Sequence, residues 1–79
     1  MKYVYILQCV SDPSRHYTGV TDDLKARLER HNAGEVHHTS KHRPWRLVTY
    51  IAFSDETRAL AFEKYLKSAS GRAFAKKRL

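Results

Sequence analysis

The sequence has one cysteine and no long apolar run, and both absences limit the class of protein. Cys9 has no second cysteine to pair with, so an internal disulfide framework and the cysteine-rich zinc sites are excluded. No charged-then-apolar segment opens the chain, and no stretch is long enough to span a bilayer. Linkers, internal repeats and low-complexity tracts are also missing. We therefore expect a single domain over residues 1–79, a cytoplasmic location and no membrane partner.

Acidic residues are scarce, with 8 Asp and Glu against 15 Lys and Arg, which gives a formal net charge of +7. Residues 64–79 contain six basic side chains and no acidic one, and a second basic cluster, Lys41, Arg43 and Arg46, surrounds Pro44-Trp45. A solvated basic surface is one interpretation of each cluster. Two such clusters in so short a chain favour a polyanionic partner that offers phosphate groups.

Three apolar segments predict the strands of a sheet. Residues 2–9 and 47–53 are nearly all β-branched, aromatic or aliphatic, as in strands covered on both faces. A turn rich in Ser, Asp and Pro follows the first segment, and residues 16–20 then form the returning strand of an antiparallel hairpin. Gly19 in that strand predicts a bulge or a close approach of another group to the backbone.

Helical segments follow the hairpin and the third strand. Thr21 is predicted to cap a helix that runs to about Asn32, with Gly34 at its end. Ser54 is predicted to cap a second helix, which ends at residues 68–71 before a short basic helix. The apolar side chains expected to be buried on these helices are Leu24, Leu28, Ala59, Leu60, Phe62 and Leu66. The predicted fold is α+β, a three-stranded antiparallel-type sheet flanked by helices.

Glu63 is a carboxylate on the core-facing side of the second helix, between Leu60 and Leu66. Burying an unpaired carboxylate costs several kcal/mol or raises its pKa, so it needs a partner. One interpretation is a salt bridge to an Arg or Lys, and the other is a metal ligand at the edge of the sheet. The residue pattern leaves both open.

Two further pairs are candidates for the same centre. Arg27 and His31 are four residues apart on the first helix, so they share a face. One interpretation is an exposed pair beside the apolar face of the helix that Leu24 and Leu28 form. The other is a cation and an imidazole that bind one anion together. Tyr5 and Tyr17 lie on the two hairpin strands and either pack or face a common cleft.

Four histidines suggest a zinc site only weakly. Their spacing fits no common zinc finger, and Cys9 lies far away in a strand where a thiol is normally inert packing. The four are His31, His37, His38 and His42. We expect no structural zinc.

Several short motifs in order resemble those of the GIY-YIG endonuclease superfamily. Tyr3-Val4-Tyr5 followed by Tyr17-Thr18-Gly19 is similar to the paired motifs that name the family. The segment 21–34, with His31-Asn32-Ala33-Gly34 at its end, resembles the helix that follows them. Pro44-Trp45-Arg46-Leu47-Val48 and then Phe62-Glu63 complete the order. The resemblance covers the whole chain, as in the small single-domain bacterial members.

This resemblance implies a divalent-metal-dependent endonuclease that hydrolyses phosphodiester bonds, with Mg²⁺ or Mn²⁺ as cofactor. The implied partner is nucleic acid, DNA rather than RNA, in DNA repair or processing. By position, Tyr5 and Tyr17 are the paired catalytic tyrosines, Arg27 is the catalytic arginine and His31 an accessory polar group. Glu63 is the sole carboxylate ligand of the metal. Sequence-independent phosphate contacts are expected from Lys41, Arg43, Arg72, Lys76 and Lys77.

The sequence departs from the family pattern at three places. Tyr3 stands where the family name has glycine, and Thr18 replaces isoleucine. Many relatives carry an asparagine downstream of the metal-binding glutamate, and none follows Glu63. Ser68, Ser70 or Arg72 could take its place.

Two alternatives to the enzyme therefore stay open. The first is a nucleic-acid-binding module that keeps the fold without the chemistry, which the missing asparagine favours. The second is a small adaptor whose basic surface docks an acidic protein.

Overall fold

The computed structural model describes all 79 residues and has α+β architecture. The elements in chain order are β1 (Lys2–Cys9), β2 (His16–Thr21), α1 (Leu24–Asn32), a 3₁₀ turn (Ser40–His42), β3 (Trp45–Phe53), α2 (Glu56–Leu66) and α3 (Ala69–Arg78). The sheet has the order β2-β1-β3, and β1 pairs antiparallel with both neighbours. This confirms the predicted three-stranded sheet flanked by helices. None of the helices has the length and apolar character needed to cross a membrane.

The central strand β1 is covered on both faces, which explains its almost continuous apolar sequence. On one face Val4 and Ile6 pack against Ala59 and Leu66 of α2. On the other face the buried cluster is Tyr5, Leu7, Cys9 and Trp45, against which Tyr17, Leu24, Leu28 and Leu47 pack. Helix α1 therefore lies on one side of the sheet, and α2 lies on the other.

Aspartates cap the first two helices, so the predicted caps Thr21 and Ser54 were wrong. The carboxylates of Asp23 and Asp55 accept hydrogen bonds from backbone N–H groups of the first turns, at 3.1 and 2.9 Å. Thr21 accepts instead from the N–H of Asp23, at 3.1 Å, and so shapes the turn before the helix. A carboxylate also interacts favourably with the helix dipole, which a hydroxyl does not.

Leu60 is exposed at 46%, so its predicted burial was wrong. Helix α2 presents Ala59 and Leu66 to the sheet, and both are buried. A residue directly after Ala59 is rotated by about 100° around the helix, because 3.6 residues make one turn. That rotation carries Leu60 off the packed face.

The end of α1 is tied to the start of β3. Gly34 takes a left-handed conformation with φ of 80°, which ends the helix as predicted. The side chain of Asn32 donates to the carbonyl of Trp45 at 3.0 Å and accepts from its N–H at 2.6 Å. These two bonds fix the helix end against the sheet.

Candidate active site

The candidate site begins where Tyr5 lies over a strand position without a side chain. Tyr5 pairs with Gly19 across β1 and β2. A Cβ added at Gly19 would lie 2.6 Å from Cζ of Tyr5, far inside van der Waals contact. The close approach predicted for Gly19 is therefore present. It lets the Tyr5 ring extend toward the outer strand β2.

The hydroxyl of Tyr5 is part of a buried hydrogen-bonded chain. It lies 2.9 Å from Nε2 of His31, and Nδ1 of His31 lies 2.7 Å from the hydroxyl of Thr39. The Trp45 indole N–H donates to the Thr39 carbonyl at 2.9 Å and holds that loop residue in place. Both His31 and Thr39 are fully buried. The interpretation of His31 as an exposed residue at the edge of the helix is therefore wrong.

Tyr17 completes a group of three rings. Its ring centroid lies 5.1 Å from that of His31 and 6.4 Å from that of Tyr5. The Tyr17 ring is half-buried at the edge strand, whereas Tyr5 and His31 are buried. The two hairpin tyrosines therefore face a common position beside His31.

Burial, together with nearby charges, sets the protonation of Tyr5 and His31. Burial, followed by repulsion from Tyr17, raises the pKa of Tyr5 to about 12, while the Arg27 guanidinium acts to lower it and Glu63 to raise it. Burial also lowers the pKa of His31, and the positive charges of Arg27 and Arg30 lower it further. At neutral pH both members of the Tyr5–His31 hydrogen bond are therefore uncharged.

The carboxylate of Glu63 has a lysine partner. Its side chain is only 20% exposed, and an oxygen lies 3.1 Å from Nζ of Lys67, one turn later on α2. This is the salt bridge that one interpretation of Glu63 required. Lys67 is half-exposed, and an ion pair that solvent reaches in this way contributes only about 0–1 kcal/mol.

A hydrated divalent cation fits this donor set. No group of three or more His, Cys, Asp or Glu side chains is arranged around one point. A single carboxylate is nevertheless a common protein contribution to Mg²⁺ binding, because that ion keeps several waters and takes phosphate oxygens from the substrate. Among the predicted site residues, Glu63 is the one that would hold it.

The five predicted phosphate-contacting residues are in different places. Arg72 and Lys76 line one groove together with Lys67. Arg43 lies over Gly34, where an added Cβ would be 3.0 Å from its guanidinium carbon. Lys41 and Lys77 are exposed outside that groove.

Thr39 is the site residue that sequence reasoning missed. A threonine in a polar loop carries no local signal, because its contact with His31 depends on how that loop folds over α1.

The residues proposed to replace the missing asparagine differ in whether their side chains are free. Ser68 is already engaged as the cap of α3, accepting from the N–H of Gly71 at 3.1 Å. Arg72 lies in the groove beside Lys67.

A comparison with known families identifies the family of the chain. The GIY-YIG catalytic domain family matches residues 1–78. The chain belongs to the GIY-YIG family. The family that the sequence motifs predicted is thereby confirmed.

Individual relatives include uncharacterised and named members. A UPF0213 protein of Lacticaseibacillus paracasei is 41% identical over 66 residues, covering 82% of this chain and 72% of that protein. The structure-specific endonuclease subunit SLX1 of Candida dubliniensis is 40% identical over 73 residues, which cover 84% of this chain and 26% of SLX1. The solution NMR structure of a UPF0213 protein from Bacillus halodurans is similar with a TM-score of 0.57 and 32% identity, over 98% of this chain and 84% of that one.

Proposed function

We propose that this GIY-YIG protein is a divalent-metal-dependent endonuclease that hydrolyses phosphodiester bonds in DNA. The observation that carries the proposal is the buried 2.9 Å hydrogen bond between Tyr5 and His31, beside Tyr17 and within the electrostatic influence of Arg27 and Glu63. A cation, a carboxylate and a proton acceptor around one position are what hydrolysis of a phosphodiester requires.

Tyr5 acts in this proposal as a neutral proton carrier. A phenol with a pKa of about 12 does not ionise at neutral pH. Its oxygen can accept a proton from the attacking water while its own proton passes to Nε2 of His31. Burial keeps His31 neutral with a free lone pair at Nε2, and because burial, Arg27 and Arg30 all disfavour the imidazolium, His31 holds the proton only transiently.

Thr39 would set the tautomer that this transfer needs. Nε2 of His31 accepts only if the ring proton is on Nδ1, which then donates to the Thr39 hydroxyl at 2.7 Å. The Thr39 hydroxyl is free to accept this bond because it donates its own proton to the carbonyl of Val36, 3.4 Å away. The chain from Tyr5 to Val36 then has one consistent direction.

Arg27 and Glu63 would handle the charge of the phosphate. The Arg27 guanidinium is planar and permanently charged, so it can bind two non-bridging oxygens and stabilise the charge that develops on them. A Mg²⁺ or Mn²⁺ ion bound at Glu63 would neutralise the phosphate and stabilise the leaving oxygen. Basic side chains outside the centre would add sequence-independent phosphate contacts, from Lys41, Arg43, Arg72, Lys76 and Lys77.

A binding module without chemistry is the second candidate. The absence of an asparagine after Glu63 and the ion pair that Glu63 forms with Lys67 both favour it. Such a module would bind oligonucleotides in EDTA with a steep salt dependence and would cleave none of them.

Cleavage assays separate the two candidates. Wild type, Arg27→Ala and Glu63→Ala are incubated with single-stranded and duplex DNA and with RNA, with Mg²⁺ or with EDTA. We expect Mg²⁺-dependent cleavage of DNA by wild type, and a loss of about a hundredfold for Arg27→Ala, as for removal of one charge-stabilising donor. Equal cleavage by all three proteins eliminates the proposed site, and no cleavage by wild type with retained binding favours the binding module.

A further inference from the structure

A groove lies on the face of the sheet opposite the Tyr5–His31 pair. It has a volume of about 680 Å³. Its floor is apolar and includes Ile6 of β1, Leu66 of α2 and Ala75 of α3. Val48 and Thr49 also line it, although they are consecutive. A β-bulge beside the Ile6/Leu7 position allows this, because it breaks the alternation of side chains along β3.

One wall of the groove carries unpaired positive charge. Arg72 and Lys76 are one turn apart on α3, so both project along the same side. Neither forms an ion pair, and no acidic side chain lines the groove. Lys67, the third cation of the wall, is shared with Glu63. An anion that enters would meet two unpaired cations, Arg72 and Lys76, and a third, Lys67, that is paired with Glu63.

The groove borders the candidate active site at two residues. Tyr17 belongs to its lining and also lies 5.1 Å, ring to ring, from His31. Lys67 lines the groove and holds Glu63 at 3.1 Å. A chain of phosphates that leaves the centre past Tyr17 can therefore enter the groove directly.

We propose that this groove binds the unpaired strand of a nucleic acid on one side of the bond that is cut, with phosphates on Arg72 and Lys76. The assignment of that bond to this centre rests on the proposed function. Unpaired bases expose apolar faces that the floor can cover, whereas the bases of a duplex are already stacked and paired. The volume of about 680 Å³ is within the range of pockets for small molecules, so it admits a short stretch of one strand.

The test compares two double variants that remove the same charge. Arg72→Gln with Lys76→Gln changes the groove, and Lys64→Gln with Arg78→Gln changes two exposed cations that do not line it. Glutamine keeps the side-chain length and a similar helix propensity. Binding of a fluorescent single-stranded oligonucleotide and of the matching duplex is measured in EDTA over a series of salt concentrations, with circular dichroism as a check on folding.

We expect the groove variant to lose at least about tenfold in single-strand affinity, and its slope of log K against log salt to shrink by about 1.4, or ~0.7 for each lost contact. The control variant should change single-strand affinity less than about threefold, and the groove variant should affect the duplex less than the single strand. Equal losses in the two variants would instead show a diffuse basic surface and overturn the proposal. An equal or larger loss on the duplex would also overturn it, as would an absence of oligonucleotide binding by wild type.

Because the assay contains no metal, its result is independent of catalysis. A groove-dependent loss of binding without any Mg²⁺-dependent cleavage by wild type would uphold the groove and refute the nuclease. Cleavage by wild type together with unchanged single-strand binding by the groove variant would uphold the nuclease and refute the groove.

Discussion

The phenol oxygen of Tyr5 lies 2.9 Å from Nε2 of His31, between residues that are 26 positions apart in the chain. Burial raises the pKa of Tyr5 to about 12 and lowers the pKa of His31. Because both shifts favour the neutral forms, the two side chains form a neutral hydrogen bond rather than an ion pair. Because burial disfavours both the phenolate and the imidazolium, Tyr5 can pass its proton to His31 only while it takes a proton from water in the same step.

Thr39→Val tests whether the loop residue fixes the tautomer of His31. Valine keeps the shape of threonine and removes the acceptor 2.7 Å from Nδ1. We expect the Nδ1–H tautomer, seen by ¹⁵N NMR of His31, to lose population, and the cleavage rate to fall about tenfold, as for loss of one buried hydrogen bond. Thr39→Ser keeps the hydroxyl and should retain both properties. An unchanged tautomer ratio and rate in Thr39→Val would exclude a positioning role.

The free energy of unfolding should decrease as the pH falls below about 6.5. His31 has a pKa in the folded state below its ordinary value of 6.5, so the unfolded chain takes up a proton that the folded chain does not. The stability that this difference provides is complete above pH 6.5 and is lost as the pH falls through the folded pKa. Denaturant titrations between pH 5 and 8, compared for wild type and His31→Gln, measure it.

His37→Gln is the matched control for that series, because His37 is an exposed histidine. It should leave the pH dependence of unfolding as in wild type, whereas His31→Gln should flatten it. The same slope in His31→Gln and wild type would mean that His31 is not the group that resists protonation.

Gly19→Ala should damage both stability and activity. The new methyl carbon would lie 2.6 Å from Cζ of Tyr5, and the buried ring cannot move away without breaking its bond to His31. We expect a loss of about 1–3 kcal/mol in the free energy of unfolding, typical of overpacking. Tyr5→Leu removes the ring, so Gly19→Ala should cost less in that background. An equal cost in both backgrounds would place the strain elsewhere.

The elements and the family were predictable from the sequence because their signals are local. The run from Lys2 to Cys9 predicts a covered strand, and Gly19 predicts the close approach that Tyr5 makes. The predicted helix caps were wrong. Thr21 and Asp23 are both residue types that cap helices well, and only the path of the turn decides which of them does so. The predicted burial of Leu60 was wrong because the face of α2 that contacts the core is narrower than the set of its apolar residues suggests.

The candidate site was predictable only in part. Motif order pointed to Tyr5 and His31, but the residue pattern left open whether His31 was exposed. Its complete burial and its bond to Thr39 arise when the loop after α1 closes over it, which is a long-range event. A salt bridge was one of the two interpretations of Glu63. Lys67 forms it because it lies one turn later on the same helix, α2.

Tyr5→Phe provides the most direct measurement of the central claim, that the Tyr5 hydroxyl carries the proton from water to His31. The rate of a single turnover on an oligonucleotide with Mg²⁺ is compared with wild type and with Tyr3→Phe, which removes a hydroxyl from the same strand. We predict a loss of at least about a hundredfold for Tyr5→Phe, the lower range for general acid–base catalysis, with unchanged binding in EDTA. Tyr3→Phe should cleave normally. Cleavage by a folded Tyr5→Phe protein at the wild-type rate would contradict the account.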